Sequence, residues 1–257
     1  MTNYVLNYPA AFAAGPAQVG GKGWNLARLA RYGFLVPAGG VLIAKGYVRV
    51  LAADHFRNRL ERLAGCTAQD ASDPQVAAAL NQFASAIRGE TLPSDVVDDI
   101  QRFLTEHRLA AKPLAVRSSA CSEDGAETSF AGIHESWLNV VGVEEVCQAV
   151  LNCYASLWTP QALAYRRRMN VADGDAACAV VLCEMIAGPE GPPVAAGVAF
   201  SCHPLSGRRD VITVNGAAGL GDAVVRGDVT PDEYVLNAHD TTTIESRVER
   251  GSPLLED

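Results

Sequence analysis

The sequence predicts a mixed α/β (α+β) fold with two unequal parts, and three observations support this class. Segments of helical periodicity fill residues 1–110, strand-like runs dominate from residue 111 onward, and no regular strand–helix alternation occurs. The chain has 257 residues, which at about 150 residues per domain allows one large or two small domains. We expect a first lobe at 1–186, with its strand-rich part at 111–186, and a second lobe at 187–257.

Composition sets limits on the function. The chain is 49% hydrophobic and 19% charged, which excludes a disordered, collagen-like or coiled-coil protein. Its 21 basic and 29 acidic side chains give a net charge of −8. This balance, with no block of Lys and Arg, argues against nucleic-acid binding, although a local basic pocket could still hold a nucleotide.

The sequence also predicts where the protein resides. It has no run of 18 apolar residues, so no membrane span is expected, and its start lacks the pattern of a signal peptide. The seven cysteines are odd in number and form no CxxC pair. We therefore expect reduced thiols in a cytoplasmic protein, with neither disulfides nor a zinc site.

The helical part contains four predicted helices. They are expected over residues 24–32 and 47–63, after the Asp73-Pro74 cap, and from Ser94. Apolar side chains of the last two helices recur at helical spacing and should face the core: Val76, Leu80, Phe83, Ile87, Val97, Ile100 and Leu104.

The strand-rich part begins near residue 112. Strands are predicted at residues 114–118, 136–141, 179–186, 194–200 and 210–214. A helix is expected over 144–157, and a glycine-rich loop over 216–221. The continuous apolar character of 179–186 indicates a strand buried on both faces.

A glycine-rich segment, Gly20–Gly23, precedes the first predicted helix and is the first candidate site. Glycines let backbone N–H groups approach an anion, and a helix N-terminus adds partial positive charge. Lys22 would add a full charge toward a phosphate. The segment is not a P-loop, because Gly23 replaces the hydroxyl residue that follows the lysine there. A tight turn with a solvated lysine is the alternative.

Arg117 is the second candidate, in a segment rich in hydroxyls and glycine. Its guanidinium could fork onto two phosphate oxygens of a triphosphate. The small-residue stretch 129–132 that follows could close over the ligand. The alternative is a surface loop in which Arg117 pairs with Glu123 or Asp124.

The third candidate is a hinge at the end of the apolar strand, where Glu184, Met185 and Ile186 follow Cys183. Hinge backbone groups could read an adenine edge while the Met and Ile side chains cover its face. An ordinary core strand is the alternative.

The fourth candidate is the glycine-rich stretch 215–222, in which Asp222 could face a metal or a lysine. The alternative is a turn with a solvent-facing acid. His134 and His203 lie in loop-like contexts and are expected to be polar loop residues. Neither HExxH nor GxSxG occurs.

Taken in order, several motifs carry a family resemblance over nearly the whole chain. The chain resembles the N-terminal ATP-binding domain, of ATP-grasp type, of phosphoenolpyruvate synthase, pyruvate phosphate dikinase and rifampin phosphotransferase. The motifs are VGGKGWNLARL (19–29), VPAGGVL (36–42), AVRSSACSEDGAETSFAGIHESWLNV (115–140), VVLCEMI (180–186), GVAFSCHPLSG (197–207) and GAAGLGDAVVRGDVTPDEY (216–234).

The resemblance implies a two-lobed domain that binds ATP, with Mg²⁺, between its lobes. The family's phosphate-contacting lysine and arginine correspond to Lys22 and Arg117. Its SFAG…ES segment, which approaches the phosphates, corresponds to Gly132 and Ser136, and its hinge to 184–186. No metal ligand is assigned within this sequence.

The resemblance also implies a reaction. The family passes the β-phosphoryl group of ATP to a histidine on a swivelling domain, leaving AMP and phosphate. The phosphohistidine then serves pyruvate or another small-molecule hydroxyl in an acceptor-substrate domain. Both partner domains are expected on the same or a separate chain, and the residues present do not name the acceptor.

The chain departs from the family pattern at several places. It has Cys183 where Gln is frequent, His203 where Asp is common and Asp222 where Glu is usual. The family's QDIEW-like, QSRP-like and GGxxSH-like segments do not occur before Asp257. We therefore expect an ATP-grasp domain truncated at its C-terminus.

Three hypotheses follow from the resemblance. The chain is the nucleotide-binding part of a phosphotransferase and catalytically incomplete alone, a non-catalytic nucleotide- or partner-binding remnant, or an assembly module that binds no nucleotide.

Overall fold

The computed structural model describes residues 3–120, 136–169, 171, 177–186 and 195–248. The chain divides into two compact units, Met1–Met185 and Ile186–Asp257. The described elements are nine α-helices and nine β-strands. This content confirms the predicted mixed α/β class.

The first unit contains a five-stranded sheet whose neighbouring strands are all antiparallel among the described residues. Its strands are β1 (Val5–Asn7), β2 (Gly39–Leu42), β3 (Leu114–Ala120), β4 (Ser136–Val140) and β5 (Cys178–Glu184). The order across the sheet is β1-β2-β5-β3-β4. β5 is therefore central, which explains its continuous apolar sequence.

Eight α-helices of the described residues pack on this sheet or on one another. They are α1 (Tyr8–Ala14), α2 (Pro16–Arg31), α3 (Ala44–Leu51), α4 (Asp54–Ala64), α5 (Pro74–Arg88), α6 (Ser94–Glu106), α7 (Val143–Ser156) and α8 (Pro160–Arg168). A single 3₁₀ turn, Asp70–Ser72, precedes α5.

The two faces of the sheet bury separate apolar clusters. On one face, residues of α1 and α2 such as Tyr8 and Val19 pack against Val41 and Val181. On the opposite face, a larger cluster joins Leu182 and its strand neighbours to helices α3 through α8. Consecutive residues of β5 point to opposite faces, so both clusters require apolar side chains from it.

The helical predictions are confirmed in part. α5 begins at Pro74, and the Asp73 carboxylate accepts the Gln75 and Val76 N–H groups as its N-cap. α6 begins at Ser94 as predicted. The single helix predicted over 47–63 is wrong, because Ala53 has extended backbone angles and separates α3 from α4.

The second unit contains a four-stranded antiparallel sheet in the order β6-β7-β8-β9. Its described elements are β6 (Ala195–Phe200), β7 (Val211–Ala218), α9 (Gly221–Arg226), β8 (Asp232–Asn237) and β9 (Thr243–Arg247). The loop predicted over 216–221 is shorter than expected, because β7 continues through Ala218 and α9 begins at Gly221. In the part of the chain that is described, no helix is long and apolar enough to cross a membrane.

Candidate functional site

The Gly20–Gly23 segment lies inside α2, at a break in the helix. Gly20 has φ 67° and ψ 169°, which are not helical angles, so the helix is interrupted there and restarts at Gly21. Lys22 is half-buried in the first turn of the restarted helix. The predicted helix start at Trp24 is therefore too late, and the Gly15-Pro16 pair marks the true start, because proline favours the first turn of a helix.

Packing requires glycine at this break. A Cβ on Gly20 would lie 2.2 Å from the Ser119 carbonyl oxygen, and a Cβ on Gly23 would lie 3.0 Å from the Val41 side chain. Two of the segment's glycines are thus explained by close approach to β2 and β3. Ligand contact is not needed to explain these two.

Ser119 of β3 joins this break to the sheet. Its hydroxyl donates a hydrogen bond to the Val19 carbonyl oxygen at 2.9 Å and accepts one from the Gly23 N–H at 3.1 Å. The two peptide groups belong to residues four apart, the spacing of an ordinary α-helical hydrogen bond. The serine hydroxyl is therefore inserted into a position where one helical hydrogen bond would otherwise form.

Arg117 lies two residues before Ser119 on the same strand. Side chains two apart on a strand share a face. Arg117 pairs in register with Val181, which belongs to the apolar cluster on the sheet face that α1 and α2 cover, called here the α2-side cluster. The Arg117 side chain is exposed, whereas its strand neighbours are buried. The α2-side face therefore carries both the guanidinium of Arg117 and the hydroxyl that contacts the α2 break.

Ser136 is opposite Arg117 on β4. The two residues pair in register, and the Arg117 Nε donates a hydrogen bond to the Ser136 Oγ at 3.3 Å. The structure thus brings together two of the residues to which the resemblance gives a phosphate role. Gly132 lies outside the described residues, as do Glu123 and Asp124, the alternative partners of Arg117.

The serines of the VRSSA motif do not present hydroxyls to solvent. Ser118 is 1% exposed and Ser119 is 0% exposed. Of the Arg117–Ser119 segment, only the arginine side chain is therefore accessible to a ligand.

The hinge segment begins at the end of β5. The Glu184 N–H donates to the Ala38 carbonyl at 2.8 Å, and the Met185 N–H donates to the Pro113 carbonyl at 2.9 Å. Both donors are therefore engaged within the protein and are not free to read an adenine edge. The Glu184 carboxylate forms an ion pair with Lys112, with Oε1 and Nζ 2.6 Å apart.

Met185 and Ile186 lie at the division between the two units. The Met185 sulfur accepts a hydrogen bond from the Asn139 N–H at 3.0 Å, and Met185 packs against the α2-side cluster. Ile186 is 63% exposed. Of the two apolar side chains expected to cover an adenine, only Ile186 is largely exposed.

Cys183, which precedes the hinge, is buried. Its sulfur donates a weak hydrogen bond to the Ala115 carbonyl at 3.7 Å. Burial raises the pKa of the Cys183 thiol, while the positive charge of Arg117 acts in the opposite direction. The thiol is thus an internal packing group of the sheet.

The polar residues of the second unit have local roles. The Asp222 carboxylate pairs with Arg226 one turn later on α9, at 2.9 Å. The Nδ1 of His203 accepts hydrogen bonds from the Leu205 and Ser206 N–H groups at 3.3 and 3.2 Å. His203 is therefore a turn-stabilising loop residue, whose ring nitrogen accepts backbone N–H groups two and three residues later.

No metal centre is evident in the described ranges. Within them, no group of three or more His, Cys, Asp or Glu side chains is arranged to hold a metal ion. Magnesium that binds together with a nucleotide is held mainly by phosphate oxygens and one or two carboxylates, so this absence concerns only a metal centre built from three or more protein ligands.

Comparison with known proteins identifies the family. The profile of the pyruvate phosphate dikinase AMP/ATP-binding domain matches residues 16–252. The chain belongs to this family. The match includes the α2 break, Arg117 and the hinge segment, and it confirms the resemblance that the motifs indicate.

Named relatives agree with this assignment. The chain is 36% identical to the phosphoenolpyruvate synthase of Aquifex aeolicus (strain VF5) over 226 residues, covering 84% of the chain and 26% of the relative. It is 34% identical to the enzyme of the same name from Aeropyrum pernix over 236 residues, covering 90% and 28%.

A relative with a different name is equally similar. The chain is 36% identical to the rifampicin phosphotransferase of Streptomyces sviceus over 235 residues, covering 90% of the chain and 26% of that protein. The chain therefore spans about a quarter of the length of the curated relatives that it matches.

Sequence reasoning missed two features of this site. Ser119 was not recognised as the contact to α2, because it lies 96 residues from Gly23 along the chain and only the sheet brings the two together. The ion pair of Lys112 with Glu184, 72 residues apart, likewise leaves no local signal.

Proposed function

We propose that this chain binds ATP in the manner of an ATP-grasp domain, with the phosphates against the α2 break and the end of β3. The observation that supports this proposal is the contact of Ser119 with the α2 break, on the face that also carries Arg117. Lys22 and Arg117 would provide full charges to the phosphates, and the restarted helix of α2 would add the partial charge of its N-terminus.

The remaining site residues have supporting roles in this proposal. Ser136 orients the Arg117 guanidinium through their hydrogen bond. Adenine is contacted at Glu184, Met185 and Ile186. Because the Glu184 and Met185 N–H groups are engaged, carbonyl oxygens would accept the adenine amino group there.

The reaction proposed is that of a dikinase-type phosphotransferase. The β-phosphoryl group of ATP passes to a histidine on a swivelling domain, water takes the γ-phosphoryl group, and AMP and phosphate are released. The phosphohistidine then phosphorylates pyruvate or another hydroxyl acceptor. The names of the relatives, phosphoenolpyruvate synthase and rifampicin phosphotransferase, support this class. The histidine and acceptor domains would belong to the same or a separate chain.

Charge neutralisation is the contribution that the described residues would make. The phosphates of a transferring nucleotide accumulate negative charge, and fixed cations stabilise it without reorganisation. Magnesium would arrive as part of the substrate MgATP. Lys22 and Arg117 would orient the phosphate chain and shield it from water.

Calorimetric titration of the 257-residue chain with ATP, in magnesium and in EDTA, tests this function. We expect saturable binding of one nucleotide per chain, tighter with magnesium because the metal offsets phosphate charge. The absence of binding heat from a chain that is folded by circular dichroism would contradict the proposal.

A further inference from the structure

The hydroxyl of Ser119 occupies an unusual position. It bridges the Val19 carbonyl oxygen and the Gly23 N–H, at 2.9 and 3.1 Å. In an uninterrupted α-helix these two groups bond directly to each other. A side chain inserted between such groups is a recognised cause of a helix kink, and the break at Gly20 lies between them.

The break creates the helix end that the phosphate site requires. A continuous helix from Pro16 would turn the Lys22 side chain in a different direction. The helix instead restarts at Gly21, after the non-helical Gly20, so that Lys22 lies in the first turn of the restarted segment. The start of the restarted helix and the direction of the Lys22 side chain therefore depend on the same kink.

We infer that Ser119 is a positioning residue of the nucleotide site, whose inserted hydroxyl holds the α2 break open and thereby places Lys22. This inference rests on the proposed ATP-binding function. Ser119 is fully buried, so it acts through α2 and does not touch the nucleotide.

The adjacent residue provides a matched control. Ser118 lies next to Ser119 on β3 and is equally buried. Its hydroxyl has no hydrogen-bond partner among the described residues. Replacing Ser118 with Ala removes a hydroxyl group of the same kind from the same strand, and we expect it to leave the α2 break intact.

The test compares the dissociation constants of ATP and adenosine for the Ser119→Ala and Ser118→Ala chains. We expect Ser119→Ala to weaken ATP binding by about tenfold, because misplacement of a binding group is costly, and to leave adenosine binding unchanged within about twofold. Ser118→Ala should change neither constant. An unchanged ATP constant in Ser119→Ala would overturn the inference, even if its melting temperature falls.

A double-variant experiment separates positioning from a general loss of structure. If Ser119 acts by placing Lys22, adding Ser119→Ala to a Lys22→Ala chain should weaken ATP binding by less than about threefold. A full and additive loss would contradict the inference. Failure of the unsubstituted chain to bind ATP would instead refute the proposed function.

A second substitution keeps the test decisive if Ser119→Ala does not fold. Ser119→Cys keeps a side chain of similar shape with a weaker hydrogen-bonding group. We expect it to weaken ATP binding by a few-fold, between the unsubstituted chain and Lys22→Ala. ATP binding equal to that of the unsubstituted chain would overturn the inference.

Discussion

Two neighbouring serines of β3 show that residue type alone does not determine whether a side chain is exposed to a ligand. Ser118 and Ser119 belong to the hydroxyl-rich segment that contains Arg117, yet both are buried. The strand is covered on each face, so its alternating side chains all point into packed clusters except Arg117. The phosphate role of Arg117 stays a prediction. The burial of the two serines depends on helices from distant parts of the chain, which no local pattern reveals.

A buried carboxylate is the main polar group that connects β1 to α6. Asp99 is 3% exposed, and its Oδ2 accepts the Tyr4 and Val5 N–H groups at 2.5 and 2.8 Å. Its Oδ1 accepts a hydrogen bond from Arg102. The carboxylate thereby satisfies backbone donors at the edge of the sheet.

We predict that Asp99→Ala lowers the free energy of unfolding by about 3 kcal/mol, because it leaves buried donors and an arginine without their acceptor. Asp98→Ala is the control, since Asp98 is exposed on the same helix, and should change stability by less than about 0.5 kcal/mol. Urea denaturation of the two variants measures the difference. Equal effects would show that the Asp99 bonds contribute little.

At the scale of elements, α2 is a helix interrupted for a structural reason. The segment of glycines predicts a turn before a helix, and the structure has a kink within one. The Gly15-Pro16 start was visible in the sequence. The kink was not predictable, because it depends on Ser119, which only the sheet brings to α2.

Gly20→Ala should destabilise the protein by about 3 kcal/mol or more, because it combines a left-handed φ with a clash against the Ser119 backbone. Gly33→Ala is the control. Gly33 also has a positive φ, of 84°, but nothing lies within 4 Å of its Cβ position. It should cost about 1–2 kcal/mol.

Urea denaturation of these two glycine variants gives the comparison. A Gly20→Ala chain as stable as Gly33→Ala would mean that α2 can move away from β3. The close packing of the break against the strand would then not be a fixed feature of the fold.

An element could be predicted from the sequence when the residues that define it, such as a cap or an apolar period, lie within its own segment. α5 and α6 were placed correctly because a cap and an apolar period lie within each segment. The separation of α3 from α4 was missed, since no proline or glycine marks Ala52 and Ala53. β1 and β2 were missed because they are short, and β2 begins with two glycines.

At the scale of the whole molecule, the sequence predicted the fold class and the family better than the site's construction. Long motifs in a fixed order identify the family, and the profile match over residues 16–252 confirms it. The pairing of Arg117 with Ser136 and the contact of Ser119 with α2 arise from strand order. Arg117 and Ser136 are 19 residues apart on consecutive strands. Ser119 and Gly23 are 96 residues apart, so no local pattern encodes their contact.

The central claim is that Lys22 and Arg117 bind the phosphates of one nucleotide. It is tested most directly by calorimetric affinities of ATP and adenosine for the unsubstituted, Lys22→Ala and Arg117→Ala chains. We predict that each substitution weakens ATP binding by about 10- to 150-fold, corresponding to about 1.5–3 kcal/mol for a charge-assisted contact, and leaves adenosine binding unchanged. Equal ATP affinities in all three chains, or equal losses for ATP and adenosine, would contradict the account.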